Sequence, residues 1–485
     1  MANGTGKVLV VEFNEITWDL IDPLMRRGLL PNFQSMVEGG MRGDAWASEE
    51  PEHLDPWITW TTLYTGVPQR VHGLAMLEQD RETVSAPRLW EYLREAGLRV
   101  GLFGSANSWP PSPVDGFWVP GPFSRDFATY PRDLEPIQAL NVGLTRGHTT
   151  GSAGAAARPK LSKLMPQLVR MGLRPATLAK IAGEMVGIKR NPRTRWKMIS
   201  FQPVLNFDLF SRIYRQYQPH FSTFHSNHVA YYMHRFWRAM QPEAFDVPPS
   251  EDEKANYGGC VEYGYVVADR LLGAMRRMAG PDVNLLVLSS CGQQPATGGR
   301  YSEDQRQGHL GLQIRIRSLL EMLGAAEGAT FNNLMAPQWK IDFTDEKLRE
   351  RTAELIAQAR NTTRDTAPFA VHREGHSLCV GPYRNQQLDD SIELHTPSGV
   401  RKIVARELLE QHAEVAKSGR HHPKGVLLAQ GPDIRRGVNI GRCDNLDLAP
   451  TMLHLLGQPV PSAMHGRILE EGLTLPVARK MAVAA

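Results

Sequence analysis

The chain has 485 residues, 42% of them apolar and 22% charged, with a formal net charge of +4. That length suits one large domain with an insertion or two domains, and the composition excludes a disordered or fibrous chain. The charge is too mild to imply nucleic acid as a partner. Cys260, Cys291, Cys379 and Cys443 lack the spacing of a zinc knuckle or a redox motif and read as free thiols of a reducing compartment. There is no apolar run of roughly 18 residues and no long apolar stretch before a cleavage site, so no transmembrane segment and a cytoplasmic location are expected.

Residues 7–20 read KVLVVEFNEITWDL. Val8, Leu9, Val10 and Val11 form a short apolar run rich in β-branched residues, the pattern of a buried parallel strand. It stops at Glu12-Phe13-Asn14-Glu15. A buried strand that ends in polar groups and feeds a helix places them at the carboxyl edge of a sheet, where ligands of open α/β sheets bind. Glu12, Asn14 and Glu15 are therefore candidate site residues, with a helix-capping strand exit as the alternative. Helices are predicted over Thr17–Gly28 and Phe33–Glu38. Residues 43–74 mix acidic, aromatic and hydroxyl side chains without a clean period. Within them a helix over Trp57–Tyr64 would expose amino-terminal N–H groups able to hold an anion. A helix over Arg88–Ala96, a stop at Gly97 and a strand over Leu98–Phe103 continue the rhythm of a parallel α/β sheet. Trp109–Asp133 reads as loop.

Residues 136–218 break that rhythm. Residues 147–159 read as a flexible crossing, and 158–197 hold eleven basic residues against Glu184 alone. Short basic helices capping the sheet would attract an anionic substrate, form a solvated face, or touch anionic lipid or nucleic acid. A strand over Phe221–Phe224 is followed by His225, Ser226, Asn227 and His228, then by a helix carrying His234. His228 and His234 are six apart and do not share a helical face. One helix over 256–279 precedes a strand over Val283–Leu288, which ends in Ser289-Ser290-Cys291-Gly292. Gly299–His309 reads as a polar loop, Gln313–Leu323 as a helix, and Thr344–Arg360 as a helix capped by Thr344. His372 and His376 sit in a strand-like piece and read as ordinary histidines. His421-His422-Pro423 precede the expected last strand, Gly425–Ala429, and Leu446–Leu456 is the expected last long helix.

The opening VLVVEFNEITWDLIDPLMRRGLLPNFQSMVEGGMRG, the segment TWTTLYTGVPQRVHGL, the strand LLVLSSCGQQP and the closing HHPKGVLLAQGPDI and LAPTMLHLLGQPVPSAMHGRILEE together resemble the alkaline phosphatase superfamily, in its type I phosphodiesterase and nucleotide pyrophosphatase branch. The resemblance covers about 1–110, 219–295 and 419–470. It implies an alkaline-phosphatase-like three-layer α/β sandwich with a mostly parallel central sheet. The core would comprise 1–135, 219–324 and 419–485, with a basic helical insertion or cap at 136–218 and an accessory α+β region at 325–418.

Enzymes of this superfamily hold two metal ions, commonly zinc, beside an attacking threonine or serine. Two cations about 4 Å apart activate the nucleophile and neutralise the transferred group. This chain departs from that pattern. The first aspartate falls on Asn14, the nucleophile on Pro56 (with Asp55 and Thr59 the nearest alternatives), the Asp of Asp-x-x-x-His on Ala230, and the Asp-His pair on Ser290 and Cys291. Only His234 and His421 survive as metal ligands. The expectation is no metal or a single zinc or manganese ion, and acid/base chemistry on an anionic phosphate, sulfate or related ester. Glu12 or Asp55, paired with His234 or His421, would act as acid and base. Cys291 is a candidate nucleophile or a packed thiol. Asn14, Glu15, Thr59, Asn227, His228 and Ser290 would bind substrate, and His53 would lie near them. The alternative is a catalytically inactive anion-binding pseudoenzyme.

Overall fold

The computed structural model describes residues 6–49, 54–74, 77, 79, 81–124, 126–149, 161–297, 310–333, 338–383, 386–413 and 418–476. His53, the Gly299–His309 loop and residues 150–160 of the predicted crossing lie outside these.

The chain is an α/β protein built on one eight-stranded sheet. Six of its strands come in chain order as β1 (Val8–Phe13), β2 (Met41–Trp46), β3 (Val100–Phe103), β4 (Gly116–Val119), β5 (Phe221–Ser226) and β6 (Asn284–Ser289). The strands Val426–Gln430 and Val438–Asp444 complete it. Across the sheet the order is Val438–Asp444, β2, Val426–Gln430, β6, β1, β5, β3, β4. Only Val426–Gln430 runs against the rest.

β1 is central because its side chains are apolar on both faces. Leu9, Val11 and Phe13 enter one core and Val8 and Val10 the other, as the period of two in a strand requires. Helices α1 (Trp18–Arg26) and α2 (Pro31–Gly39), with Phe201–Tyr217, His228–Met240 and Cys260–Ala279, cover the first face. Helix α3 (Pro56–Thr65), with Leu89–Glu95 and Leu448–Leu455, covers the second. This is the expected three-layer arrangement.

Several elements differ from the sequence reading. Trp109–Asp133 is not all loop, because buried Phe117, Trp118 and Val119 pair with β3 as edge strand β4. β2 emerges from a stretch without period in which polar Arg42 and Asp44 alternate with buried Met41, Gly43 and Ala45. The helix over 256–279 is two, Glu251–Tyr257 and Cys260–Ala279, divided at Gly258-Gly259, since glycine pairs weaken helix continuity. Gln313–Leu323 begins in a strand, Leu310–Ile314, before the helix Ile316–Met322. Asp345, not Thr344, caps the following helix, accepting the N–H groups of Lys347 and Leu348. Val438–Asp444 follows the expected last strand.

The basic insertion is helical, with Leu161–Arg170, Pro175–Arg190 and a 3-10 stretch Pro192–Ser200. Leu164, Leu168 and Leu173 anchor it to the first core. Arg174 pairs with Asp208, Arg193 with Asp252 and Lys197 with Glu184. The accessory region has its own core of Ile341, Ile356, Leu378, Val380, Ile392 and Leu394 between small antiparallel sheets. That core also takes in Ile314, Leu319 and Leu320, upstream of residue 325. His372 lies on a strand of this region, and the hairpin turn at Gly375, φ 54°, separates it from His376. Among the described residues no helix is long and apolar enough to cross a membrane.

Candidate functional site

At the carboxyl edge β1 gives way to Asn14, whose N–H donates to the Ser226 carbonyl at 3.0 Å and so keeps β1 and β5 together one residue longer. Glu15 then adopts a left-handed backbone, φ 61°, which costs a non-glycine residue about 1 kcal/mol. Thr17 caps α1 by accepting the Asp19 N–H. His234 lies on the helix His228–Met240 that leaves β5. His421 comes from the other side of the sheet. The strand Val426–Gln430 runs antiparallel, so the residues before it lie at the carboxyl ends of its neighbours, and Gly419–His422 pairs there with Gly292–Pro295.

These three residues converge. His234 Nε2 lies 2.9 Å and His421 Nε2 3.5 Å from Glu15 Oε2, and His421 Nδ1 lies 3.5 Å from Asp55 Oδ1. One donor atom from each of Glu15, His234 and His421 lies within 4.8 Å of the others. The Glu15 carboxyl is buried, which alone would raise its pKa. The two imidazoles, with hydrogen bonds from His234 and Gln293, outweigh burial and bring it down to about 2. Gln293 donates to Glu15 Oε2 and, at 3.1 Å, to the Ala230 carbonyl.

Two imidazole nitrogens and one carboxylate form a zinc-type donor set, one short of the four ligands usual for zinc. The Gly419 carbonyl lies 3.0 Å from His234 Nδ1. A carbonyl only accepts, so Nδ1 carries the proton and Nε2 points its lone pair, or a second proton, at Glu15. A proton and a cation therefore compete for the same place between His234 and Glu15. Among the described residues this three-residue cluster is the candidate metal centre, which fits one metal or none and not a two-metal centre. Its carboxylate is Glu15, expected from sequence as a substrate-binding residue. Gln293, which orients Glu15, was not anticipated. Its only sequence signal is its place two residues after Cys291.

The other predicted residues divide. Asn14 is a bracket: its amide donates to Glu15 Oε1 at 2.8 Å and to Asn227 Oδ1 at 2.7 Å, and its oxygen accepts Trp60 Nε1–H at 2.8 Å. The Thr59 and Ser290 hydroxyls bond each other at 2.7 Å, fully buried. Asp55 precedes Pro56 at the start of α3, where Pro56 brings no hydroxyl. His228 turns inward instead of into the site. Ser226 Oγ lies 2.7 Å from its Nδ1 and the Gly264 carbonyl 3.1 Å from its Nε2. Glu12 does not pair with His234 or His421. Its register partner on β5 is His225, whose Nδ1 lies 2.8 Å from Glu12 Oε2. Neighbouring strands place register partners on the same face, whereas His234 lies beyond the strand end on a helix.

Cys291 is fully buried beside Ala47 and Leu54. Burial first, then the nearby Glu15 carboxylate, pushes its thiol well above its ordinary range. A buried neutral thiol is not a nucleophile. Native protein at pH 8 is expected to leave Cys291 unlabelled by iodoacetamide, with labelling only after denaturation. Peptide mass spectrometry reads this directly, and rapid native labelling would restore Cys291 as a candidate nucleophile.

No family model and no curated protein matches the chain. Among solved structures it is similar to murine ectonucleotide pyrophosphatase/phosphodiesterase 5, an inactive variant in complex with AMP, at 15% identity and a TM-score of 0.43 over 97% of this chain and 100% of that one. It is also similar to the human protein of the same name, at 12% identity and a TM-score of 0.43 with the same coverage. At that identity and score the likeness assigns no residue and no activity to this chain.

Proposed function

We propose that this chain is an atypical enzyme of the alkaline phosphatase superfamily that acts on an anionic phosphate, sulfate or related ester with a single divalent metal at Glu15, His234 and His421. The observation that carries this reading is the convergence of those three donors at the carboxyl edge of the sheet. The sequence resemblance supports it, since His234 and His421 are the ligands that survive from the superfamily pattern.

When bound, a divalent cation supplies the positive charge that an anionic ester needs beside Glu15 and Asp55. The protein's own groups hold the geometry. Gln293 and Asn14 orient the Glu15 carboxylate. Asn14 also takes up Asn227 Oδ1, which leaves the Asn227 amide N–H groups for an ester oxygen. Asp55 lies against His421 Nδ1 and orients that ring, as a carboxylate behind a ligating histidine does. Without a hydroxyl at Pro56, no covalent intermediate forms there, and attack on the ester falls to water or to an acceptor hydroxyl.

The test is a panel of aryl phosphodiesters, phosphomonoesters and sulfate esters, assayed with zinc or manganese. Turnover that needs the metal, stops on chelation and is lost in His421→Ala is the expected result. Saturable binding of phosphate or sulfate without turnover would instead favour a catalytically silent anion-binding module.

A further inference from the structure

Beneath the same sheet edge lies a second carboxylate–imidazole pair outside the metal cluster. Glu12 is fully buried. Its Oε1 accepts the Tyr64 hydroxyl at 2.5 Å and the Ser105 hydroxyl at 2.8 Å, and its Oε2 faces His225 Nδ1 at 2.8 Å.

With Glu12 ionised, the directions of the hydrogen bonds in this network follow. The Phe103 N–H must donate to Thr223 Oγ1, 3.3 Å away. Ser105 Oγ lies 2.6 Å from Thr223 Oγ1, and the Ser105 proton is committed to Glu12, so the Thr223 hydroxyl donates to Ser105. Protons thus run one way, from Phe103 through Thr223 and Ser105 to Glu12, and Tyr64 adds another. Such an array is satisfied by an ionised, acceptor-only carboxylate. Glu12 then accepts Nδ1–H from His225, and in the neutral tautomer the ring lone pair lies on Nε2.

No hydrogen bond to Nε2 is found among the described residues, and the His225 side chain is 8% exposed. The Trp60 ring packs edge-on against His225, 6.0 Å between centroids. Trp60 also donates to Asn14, which donates to Glu15. The pair and the three-residue cluster therefore share one bracket at the ends of adjacent strands.

We infer that His225 is a proton acceptor at this edge and that Glu12 is its positioning residue. The inference rests on the reading of the edge as an active site. His225 Nε2 takes the proton of the attacking water or hydroxyl as its oxygen bonds to phosphorus or sulfur. The electron pair of the broken ester bond leaves on the departing oxygen, which takes a proton from solvent, and the imidazolium returns its own proton to solvent. A base oriented in this way contributes typically ~100- to 10,000-fold to rate.

The experiment has two arms. With the aryl ester that the panel selects, His225→Ala is expected to lower kcat at least ~100-fold, with KM and metal content unchanged and partial rescue by added imidazole. Glu12→Gln is expected to lower kcat with KM unchanged, and Glu12→Asp to recover part of it. A kcat within twofold of wild type in a folded His225→Ala protein overturns the inference. The second arm needs neither turnover nor a variant. Diethyl pyrocarbonate at pH 7 is expected to modify His225 in the native protein while sparing His228 and His72. A native His225 that stays unmodified overturns the inference, even where the ester panel succeeds. If the panel finds no substrate, the functional reading fails, and this labelling still decides whether His225 presents a free nitrogen at the edge.

Discussion

Glu15→Ala is expected to abolish stoichiometric metal binding and to be among the most destabilising single substitutions at this edge. Glu15 is the only carboxylate of the candidate centre. Two imidazoles alone lose both a ligand and the negative charge that balances a divalent cation, so zinc affinity should fall by at least ~100-fold. The fold suffers as well. The substitution leaves His234 Nε2 without its carboxylate and removes one of the two acceptors of each of the Gln293 and Asn14 amides. Leaving buried polar groups short of a hydrogen-bond partner costs about 1–3 kcal/mol. Glu15→Gln separates the two effects, because it keeps volume and an acceptor oxygen while removing the charge. Plasma mass spectrometry of protein purified without chelator is expected to find about one zinc or manganese per chain, lost in Glu15→Gln, His234→Ala and His421→Ala. Two equivalents would place a second metal near Asn14 and Ser290. None in the wild type would remove the metal from the mechanism.

The sign of the pH dependence at Glu15 follows from its lowered pKa. A carboxyl held at about 2 instead of 4.5 contributes stability that is present above pH 4.5 and lost as pH falls toward 2.

Acid should weaken the fold earlier than that, through two buried histidines. Burial lowers His228 to about 4, and burial followed by the Arg88 charge lowers His72 to about 4, each from 6.5. Their hydrogen bonds agree. The Leu74 N–H donates to His72 Nδ1 at 3.1 Å, so His72 Nε2–H donates to Thr62, 3.0 Å away. His228 Nε2–H donates to the Gly264 carbonyl, which leaves Nδ1 to accept the Ser226 hydroxyl. Both rings are neutral, and a second proton breaks an existing bond. A histidine whose folded pKa is depressed leaves stability intact above pH 6.5 and removes it progressively as pH falls from 6.5 to 4. Over that window each should cost roughly 3 kcal/mol. Urea unfolding of wild type and His228→Gln at pH 7, 5.5 and 4 checks this as a difference. The wild type should lose roughly 3 kcal/mol more than the variant on going from pH 7 to pH 4. Parallel losses in both proteins would show that His228 does not carry this acid sensitivity.

The fold class was legible in the chain because its evidence is local. An apolar run such as Val8–Val11 can be satisfied only by burial on both faces, and Thr17, Gly28 and Gly97 mark element ends wherever the chain later packs. His234 and His421 were legible as a pair only through the resemblance, since nothing local connects residues 187 positions apart in the sequence.

Tertiary structure decided which polar groups meet. The reading from sequence joined Glu12 to His234 or His421, but strand register sends Glu12 to His225, and a left-handed turn brings Glu15 to the histidines instead. Gln293 becomes part of the site because the ribbon of Gly292–Pro295 with Gly419–His422 carries it under Glu15. Cys291 and His228 are candidate site residues on the reading from sequence, yet packing places both in the interior. Composition and periodicity report which side of an element faces the core, and they determined the layers of this protein. The partners of a buried charge depend on register, backbone sign and the direction of a strand far along the chain, which are properties of the folded sheet.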